Sequence, residues 1–467
     1  MTEKVKGISI NTNVDAVIFS KEDLTLNGTG TLTITSPGGH GVVSKDSLKI
    51  TGGTYAIDAE AHGLCGKDEV SIADGTFDII AGKDGIHAEN SEDAELGRVY
   101  LENGTYRINA EGDGISASGS CRIVDEDYAI TTGGGSENAQ KPASNPGFGR
   151  GQKDGGIPAG GKPQFDSQDF PERGAGGKGA MGGNKGMERI DPPQEPAGGQ
   201  EPAATTAEAD TVSTKGIKAK SLTIEGGTFA IDSADDGLHT NGNLTLRGGT
   251  LEIASGDDGI HADETVTIVS GAIHITESYE GIEGQHVVIQ GGEITLTATD
   301  DGLNAAGGMD GSGFGKRGDT FAQSGETPSI VISGGSVNVT ASGDGIDANG
   351  TLEITGGTVT VSGPTYGDTS VLDYDISGTI TGGTFIGTGA SSMTQNFSGS
   401  TQGVICVNVG AQNAGTNITL TDHNGTVVLS HTPALDYEIV IMSSPSIQSG
   451  ESYTLNVGGS TQVSTAK

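Results

Sequence analysis

The sequence predicts an all-β chain built as a parallel β-solenoid of about 22 residues per coil. Three observations predict it. Glycine after an acidic or polar residue recurs at Gly41, Gly63, Gly85, Gly114, Gly216, Gly237, Gly259, Gly281, Gly302, Gly345 and Gly367, most intervals being 21 or 22 residues. Between these glycines lie pairs of short runs rich in valine, isoleucine and threonine, such as "LTIEGGTFAID" and "LTLRGGTLEIA", the composition and alternation of strands. The 467 residues include 81 glycines, no tryptophan, 4% aromatics and 33% hydrophobics, too few large apolar side chains for several conventional cores.

Each unit reads as strand, Gly-Gly turn, strand, Asp-Gly turn. Alternation puts Leu222, Ile224, Phe229 and Ile231 on one face, with Leu244, Leu246, Leu251 and Ile253 at the same places one coil later. A single coil cannot bury that face, but two neighbours bury it from both sides. Eleven or so coils at ~4.8 Å spacing make a rod roughly 50 Å long. No six-residue period appears, which argues against a left-handed hexapeptide helix.

Residues 1–133 read as N-terminal coils and 213–389 as central coils. The 134–212 stretch, rich in Gly, Pro, Gln and charge, reads as a disordered insertion. A second insertion spans 305–328, and the spacing predicts that both leave the rod near one edge, either as binding loops or as tolerated surface additions. From about 390 to 467 the period is lost. "NITLTDHNGTVVLSH" and "YEIVIMSSP" read as antiparallel strands, with a hairpin at Asn424-Gly425, forming a cap on an otherwise open sheet edge.

The formal charge of −36 repels nucleic acid and anionic membrane and makes cations the natural counterpart. Cys65, Cys121 and Cys406 are odd in number and far apart, so they read as unpaired packing positions. No stretch of about 20 apolar residues suggests membrane insertion, no export signal is visible in "MTEKVKGISI", and a monomer is expected.

Stacking sets the residue before each turn glycine in a column: Asp236, Asp258, Glu280, Asp301 and Asp344, with Asp235, Asp257 and Asp300 one position earlier. Carboxylates about 5 Å apart repel by on the order of 3 kcal/mol per ionised pair at an effective dielectric near 20. Raised pKa values, solvation at exposed turns, or bridging cations relieve this. Calcium suits the last, since it takes six to eight hard oxygens in loose geometry and a turn glycine can aim a carbonyl at it. Asp-Gly is equally a common turn dipeptide without any ligand. His239 and His261 recur two residues after the glycine and are candidate substrate contacts, but Glu283, Asn304 and Asp347 fill that column later, which disfavours zinc and adds Glu283 to the candidate calcium ligands. Lys215 occupies the aspartate column and Lys218 and Lys220 follow at alternate positions, as ion-pair partners of the aspartates or as a cationic anchor for a substrate carboxylate. Tyr279 replaces the first acid in "ESYEGIEG" and stacks on a sugar or simply forms the rim.

The run "STKGIKAKSLTIEGGTFAIDSADDGLHTNGNLTLRGGTLEIASGDDGIHADETVTI…ESYEGIEG…TDDGLNAAGG" resembles the clostridial-type extracellular carbohydrate-binding β-helix proteins. "FSKEDLTLNGTGTLTI" and "GGTFIGTGASSMTQNFS" are similar to segments flanking that core. The resemblance implies a right-handed parallel β-helix similar to pectate lyases, extracellular or at the cell surface, with bound calcium and affinity for plant cell-wall polysaccharides such as polygalacturonate and cellulose. It carries the metal expectation onto Asp235, Asp236, Asp257, Asp258, Glu280, Asp300 and Asp301. The N-terminus departs from the family pattern by lacking its signal region.

Three functions follow. The first is non-catalytic, calcium-dependent binding of an acidic polysaccharide, with metal bridging protein and uronate carboxylates; uronates rank above cellulose because tryptophan platforms are missing. The second is a polysaccharide lyase, with Lys218 or Lys220 as base. The third is a structural surface or adhesion protein.

Overall fold

The structure, a computed structural model, describes residues 15–139, 213–306, 326–365, 367 and 369–467. Parallel strands stack into a solenoid of about 13 turns with roughly 22 residues per turn, and the described residues contain no α-helix. One long sheet carries the Gly-Gly-to-Asp-Gly strands, from Thr31–Ser36 through Thr228–Ser233 to Thr384–Gly389. The other carries the segments after each Asp-Gly turn, such as Ile217–Ile224 and Ile260–Ile268.

The predicted register holds. Leu222 and Ile224 pair with Leu244 and Leu246, and Phe229 and Ile231 with Leu251 and Ile253, all buried. Because identical positions stack, Tyr55, Phe77, Tyr106, Tyr128 and Phe229 form one column of parallel rings with centroids 4.6–5.0 Å apart. The second glycine of the Gly-Gly turn is left-handed, φ +103° at Gly227.

The glycine of the Asp-Gly turn has a different reason. At Gly237 a Cβ would lie 2.5 Å from Ile253 Cγ2 and 2.6 Å from the Gly259 carbonyl oxygen, so the two sheets meet too closely there for any side chain. Two periodicities differ from the sequence reading. The 29 residues from Gly85 to Gly114 include a loop between the strands Ile86–Ala88 and Arg98–Leu101. Gly367 is not in the column, because the N–H of Ile346 bonds to the carbonyl of Val371, which fills the glycine position instead.

The stack ends when Tyr437–Ser443 pairs antiparallel with both Thr384–Gly389 and Val404–Gln412. A four-stranded antiparallel sheet follows, including the hairpin of Ile418–Thr421 and Val427–His431, over a separate core of Ile405, Leu420, Val440 and Leu455. All three cysteines are unpaired. No helix among the described residues is long and apolar enough to cross a membrane. Most of the 134–212 and 305–328 insertions lies outside the described residues. The described chain leaves for the first after Asp127–Thr132 and for the second after Leu303–Ala305, at successive corners of a coil.

Candidate functional site

The corner before each turn glycine carries an N–H that neither sheet satisfies, and a buried donor must find an acceptor. The chain supplies one from the previous coil. Asp84 Oδ1 accepts from the Asp113 N–H at 2.9 Å, Asp113 Oδ1 from Lys215 at 2.9 Å, and Asp236 Oδ1 from Asp258 at 3.1 Å. His40 and His62 do the same with Nδ1, at 3.2 and 3.1 Å. Lys215 cannot accept, so the Asp236 N–H turns to Asp235 Oδ1 at 3.1 Å. Acidic residues thus recur here partly because an acceptor is required in every coil. The carbonyls do not turn toward an ion as expected. Those of Asp258 and Gly259 accept the N–H groups of Gly237 and Leu238 at 2.9 and 3.1 Å, within the ladder.

The other carboxylate oxygen faces the slot three residues onward. Asp84 Oδ2 lies 2.6 Å from His87 Nδ1, Asp236 Oδ2 lies 2.8 Å from His239 Nδ1, and Asp258 Oδ2 lies 3.2 Å from His261 Nδ1. His261 also meets Glu283 at 2.9 Å and Asp263 at 3.1 Å. Lys215, with no exposed side-chain surface, puts its ammonium 2.5 Å from Asp236 and 3.1 Å from Asp235. Burial opposes ionisation of Asp236, yet the Lys215 ammonium and the imidazoles hold its carboxyl well below the usual range. Burial and the same ammonium push His239 down to about 4. These coils carry their own cations.

The coils around Asp301 are built differently. Asp301 Oδ1 accepts the Asp344 N–H, but no lysine, arginine or histidine among the described residues pairs with Asp301. Burial, then Asp300, Asp344 and Asp347, push its carboxyl up to about 8. Burial and Glu283 likewise raise Glu280 well above the carboxylate range. The slot three residues onward holds Asn304, 5% exposed, whose Nδ2 donates to Glu280 Oε2 at 2.8 Å while its Oδ1 has no partner. Single carboxylate oxygens of Asp301, Asp344 and Asp347 lie within 4.8 Å of one another, about twice a calcium–oxygen distance. The donor set is all hard oxygen, which fits calcium and not zinc. Asp235, Asp236 and Asp257 also cluster, but with the Lys215 ammonium against Asp235 and Asp236, and Asp258 and Glu283 cluster around His261.

The substrate-contact expectations divide. Lys215, His239 and His261 are at most 1% exposed and point into the column, so burial removes them from a surface contact. Tyr279 is half-buried at the turn. Lys218 and Lys220 instead line a cleft of ≈ 510 Å³, together with Lys83, His62, His87 and Asn241 and the carboxylates of Asp84, Glu89 and Asp113. Small residues floor it: Ala88, Ser116, Ala117 and Ser118. Lys218 follows Ser116 and precedes His239 in the outward column, its Nζ 3.3 Å from Ser213 Oγ. Sequence reasoning missed Lys83, although "GKDGIHAE" repeats the acidic turn with a lysine in place of the first aspartate. It also passed over His62, Asp84 and His87, whose ligand atoms cluster on the same wall.

The sequence profile of the carbohydrate-binding domain-containing protein family matches residues 2–259 and 257–465, nearly the whole chain. A carbohydrate-binding domain-containing protein of Acetivibrio thermocellus is 44% identical over 120 residues, covering 26% of this chain and 42% of that relative. No solved structure matches. The chain belongs to the carbohydrate-binding domain-containing protein family.

Proposed function

We propose that this family member is a non-catalytic binder of an acidic plant cell-wall polysaccharide, a polyuronate such as polygalacturonate, held in the cleft of Lys83, Lys218 and Lys220. One observation carries the reading. In a chain of formal charge −36, three lysines converge on one cleft beside Asp84, Glu89 and Asp113, and among the described residues none of the three is within ion-pair distance of a carboxylate. An ammonium not committed to a direct ion pair is available to an anionic ligand. Seated in the cleft, a uronate carboxylate meets Lys218 and Lys220, while Ser116, Ser118 and Asn241 are placed to bond hydroxyls. A polymer of this kind fits an extracellular or cell-surface protein acting as a monomer. Recognition here is by lysine, so calcium enters through the scaffold rather than as a bridge to the sugar.

Calorimetric titration with oligogalacturonate, with cello-oligosaccharide as the uncharged control, tests this. The charged ligand should bind, more weakly as salt rises. Each of Lys218→Ala and Lys220→Ala should weaken it roughly tenfold, the worth of a hydrogen bond to a charged group. Undiminished affinity in the Lys83→Ala, Lys218→Ala, Lys220→Ala triple variant overturns the cleft assignment. Accumulating unsaturated uronide during the titration would make the protein a lyase instead.

A further inference from the structure

Three imidazoles stack over consecutive coils, His40 on His62 with ring centroids 5.0 Å apart and His62 on His87 at 4.1 Å. His62 lies between the other two, so both its faces are covered and only its edge can meet another group. The edges of the three rings are committed differently. His40 Nδ1 accepts the backbone N–H of His62 at 3.2 Å, and its Nε2 faces Asp15 Oδ2 at 3.4 Å. His87 Nδ1 faces Asp84 Oδ2 at 2.6 Å, and its Nε2 faces Glu89 Oε2 at 3.3 Å. His62 Nδ1 accepts the Asp84 N–H at 3.1 Å, whereas its Nε2 has no hydrogen-bond or ion-pair partner among the described residues. That side chain keeps 13% of its surface exposed and lines the lysine cleft. A backbone N–H can only donate, so Nδ1 must keep its lone pair and the hydrogen of the neutral ring is forced onto Nε2. Asp84 Oδ2 also lies 3.3 Å from Nδ1, but His87 already holds it at 2.6 Å.

We propose that His62 is the residue that makes the cleft selective for a sugar, its Nε2 donating a hydrogen bond to an uncharged acceptor oxygen of the bound polyuronate: a hydroxyl, ring or glycosidic oxygen. The inference rests on the cleft reading and adds to it a contact that charge does not govern. Lysine heads are point charges on flexible stems, and they hold a carboxylate without fixing the ring that bears it. An imidazole clamped between two others has little freedom to follow the ligand, so it fixes where an acceptor must sit. A ligand with no acceptor at that place leaves the donor desolvated and unpaired, which costs affinity. The lysines thus select for negative charge, and His62 selects among polyanions of equal charge.

The repeat supplies the variant that tests this. Asp84 and Asp113 accept the same corner N–H through Oδ1, so His62→Asn keeps an acceptor at that place and removes only the part of the side chain that carries Nε2. In the full chain it should bind oligogalacturonate about threefold to tenfold more weakly, the worth of a neutral hydrogen bond. The factor should be the same at low and high salt, because no charge is lost. Oligoglutamate of matched charge, which the lysines alone hold, should bind His62→Asn and the parent equally. His40→Asn, whose Nε2 serves Asp15, should bind oligogalacturonate as the parent does. Nitrogen-15 spectra of the parent at about pH 8, where an ordinary imidazole is neutral, should show hydrogen on Nε2 of His62, and that signal should shift on adding oligogalacturonate. Undiminished binding by His62→Asn, hydrogen on Nδ1 instead, or a stationary Nε2 signal while the parent binds overturns this inference and leaves the lysine cleft standing. Equal weakening toward oligoglutamate also overturns it, since the variant has then disturbed the lysines. A parent that binds neither ligand overturns the cleft and this inference with it.

Discussion

The coils of Asp236 and Asp258 and the coils of Asp301 and Asp344 share backbone, register and turn glycine, yet they surround the same acidic column with opposite electrostatics. The first pair buries Lys215, His239 and His261 among its carboxylates. The second gives Asp301 no cation among the described residues and sets Asp300, Asp344 and Asp347 around it. Acceptors are needed at these corners for the backbone, which favours carboxylates in the column although His40 and His62 also serve, and the surroundings of each carboxylate then differ from region to region. Repetition fixes geometry, but it does not fix electrostatics.

The largest effect is expected at the built-in cation. Lys215→Ala leaves Asp235 and Asp236 buried without their ammonium and should cost about 3–5 kcal/mol. Calcium should not restore it. Denaturant unfolding measures this, and a loss under ~1 kcal/mol would show that the ammonium is not what neutralises those coils. Adding Asp236→Asn to Lys215→Ala should recover part of the loss, since one buried charge has gone.

The histidines sharpen the contrast through pH. His239 is pushed down to about 4, so the unfolded chain takes a proton at pH 6.5 that the folded chain refuses. Stability should therefore fall as pH drops from 6.5 toward 4, by roughly 3 kcal/mol at most, and His239→Asn should flatten that limb. His261, 4.9 Å away in a stacked pair, runs the other way. Burial alone would lower it, but bonds to Asp258, Asp263 and Glu283 raise it well above its usual value. Its contribution is complete below pH 6.5 and is lost as pH rises through its folded pKa. Melting curves of the two single variants that track each other across pH would contradict this split.

The smallest difference should come from the feature the regions share. Gly237→Ala and Gly302→Ala each place a Cβ 2.6 Å from a carbonyl oxygen of the next coil and within 2.5 Å of an inward side chain. Both should destabilise by about 1–3 kcal/mol, and by similar amounts, because the clash is steric. A much larger loss in one coil would mean that the glycine also governs the carboxylates beside it.

The sequence by itself determined the solenoid, its period, the inward faces of the Leu222 and Leu244 coils and the existence of an acidic column. These follow from side-chain alternation and a fixed repeat, which are local properties visible along the chain. Lys218 and Lys220 were legible as a pair on one face for the same reason. Only the tertiary structure decided which acids are neutralised and which are not. Whether Lys215 points outward to a ligand or inward to Asp236 depends on a side chain reaching across coils. Whether Asn304 is satisfied depends on Glu280, 24 residues away. Lys83 joins the cleft across more than 130 residues, because stacking brings its coil close to that of Lys218. Pairing across coils, burial and the resulting desolvation are distances in space, and the repeat encodes only the places from which those distances are measured.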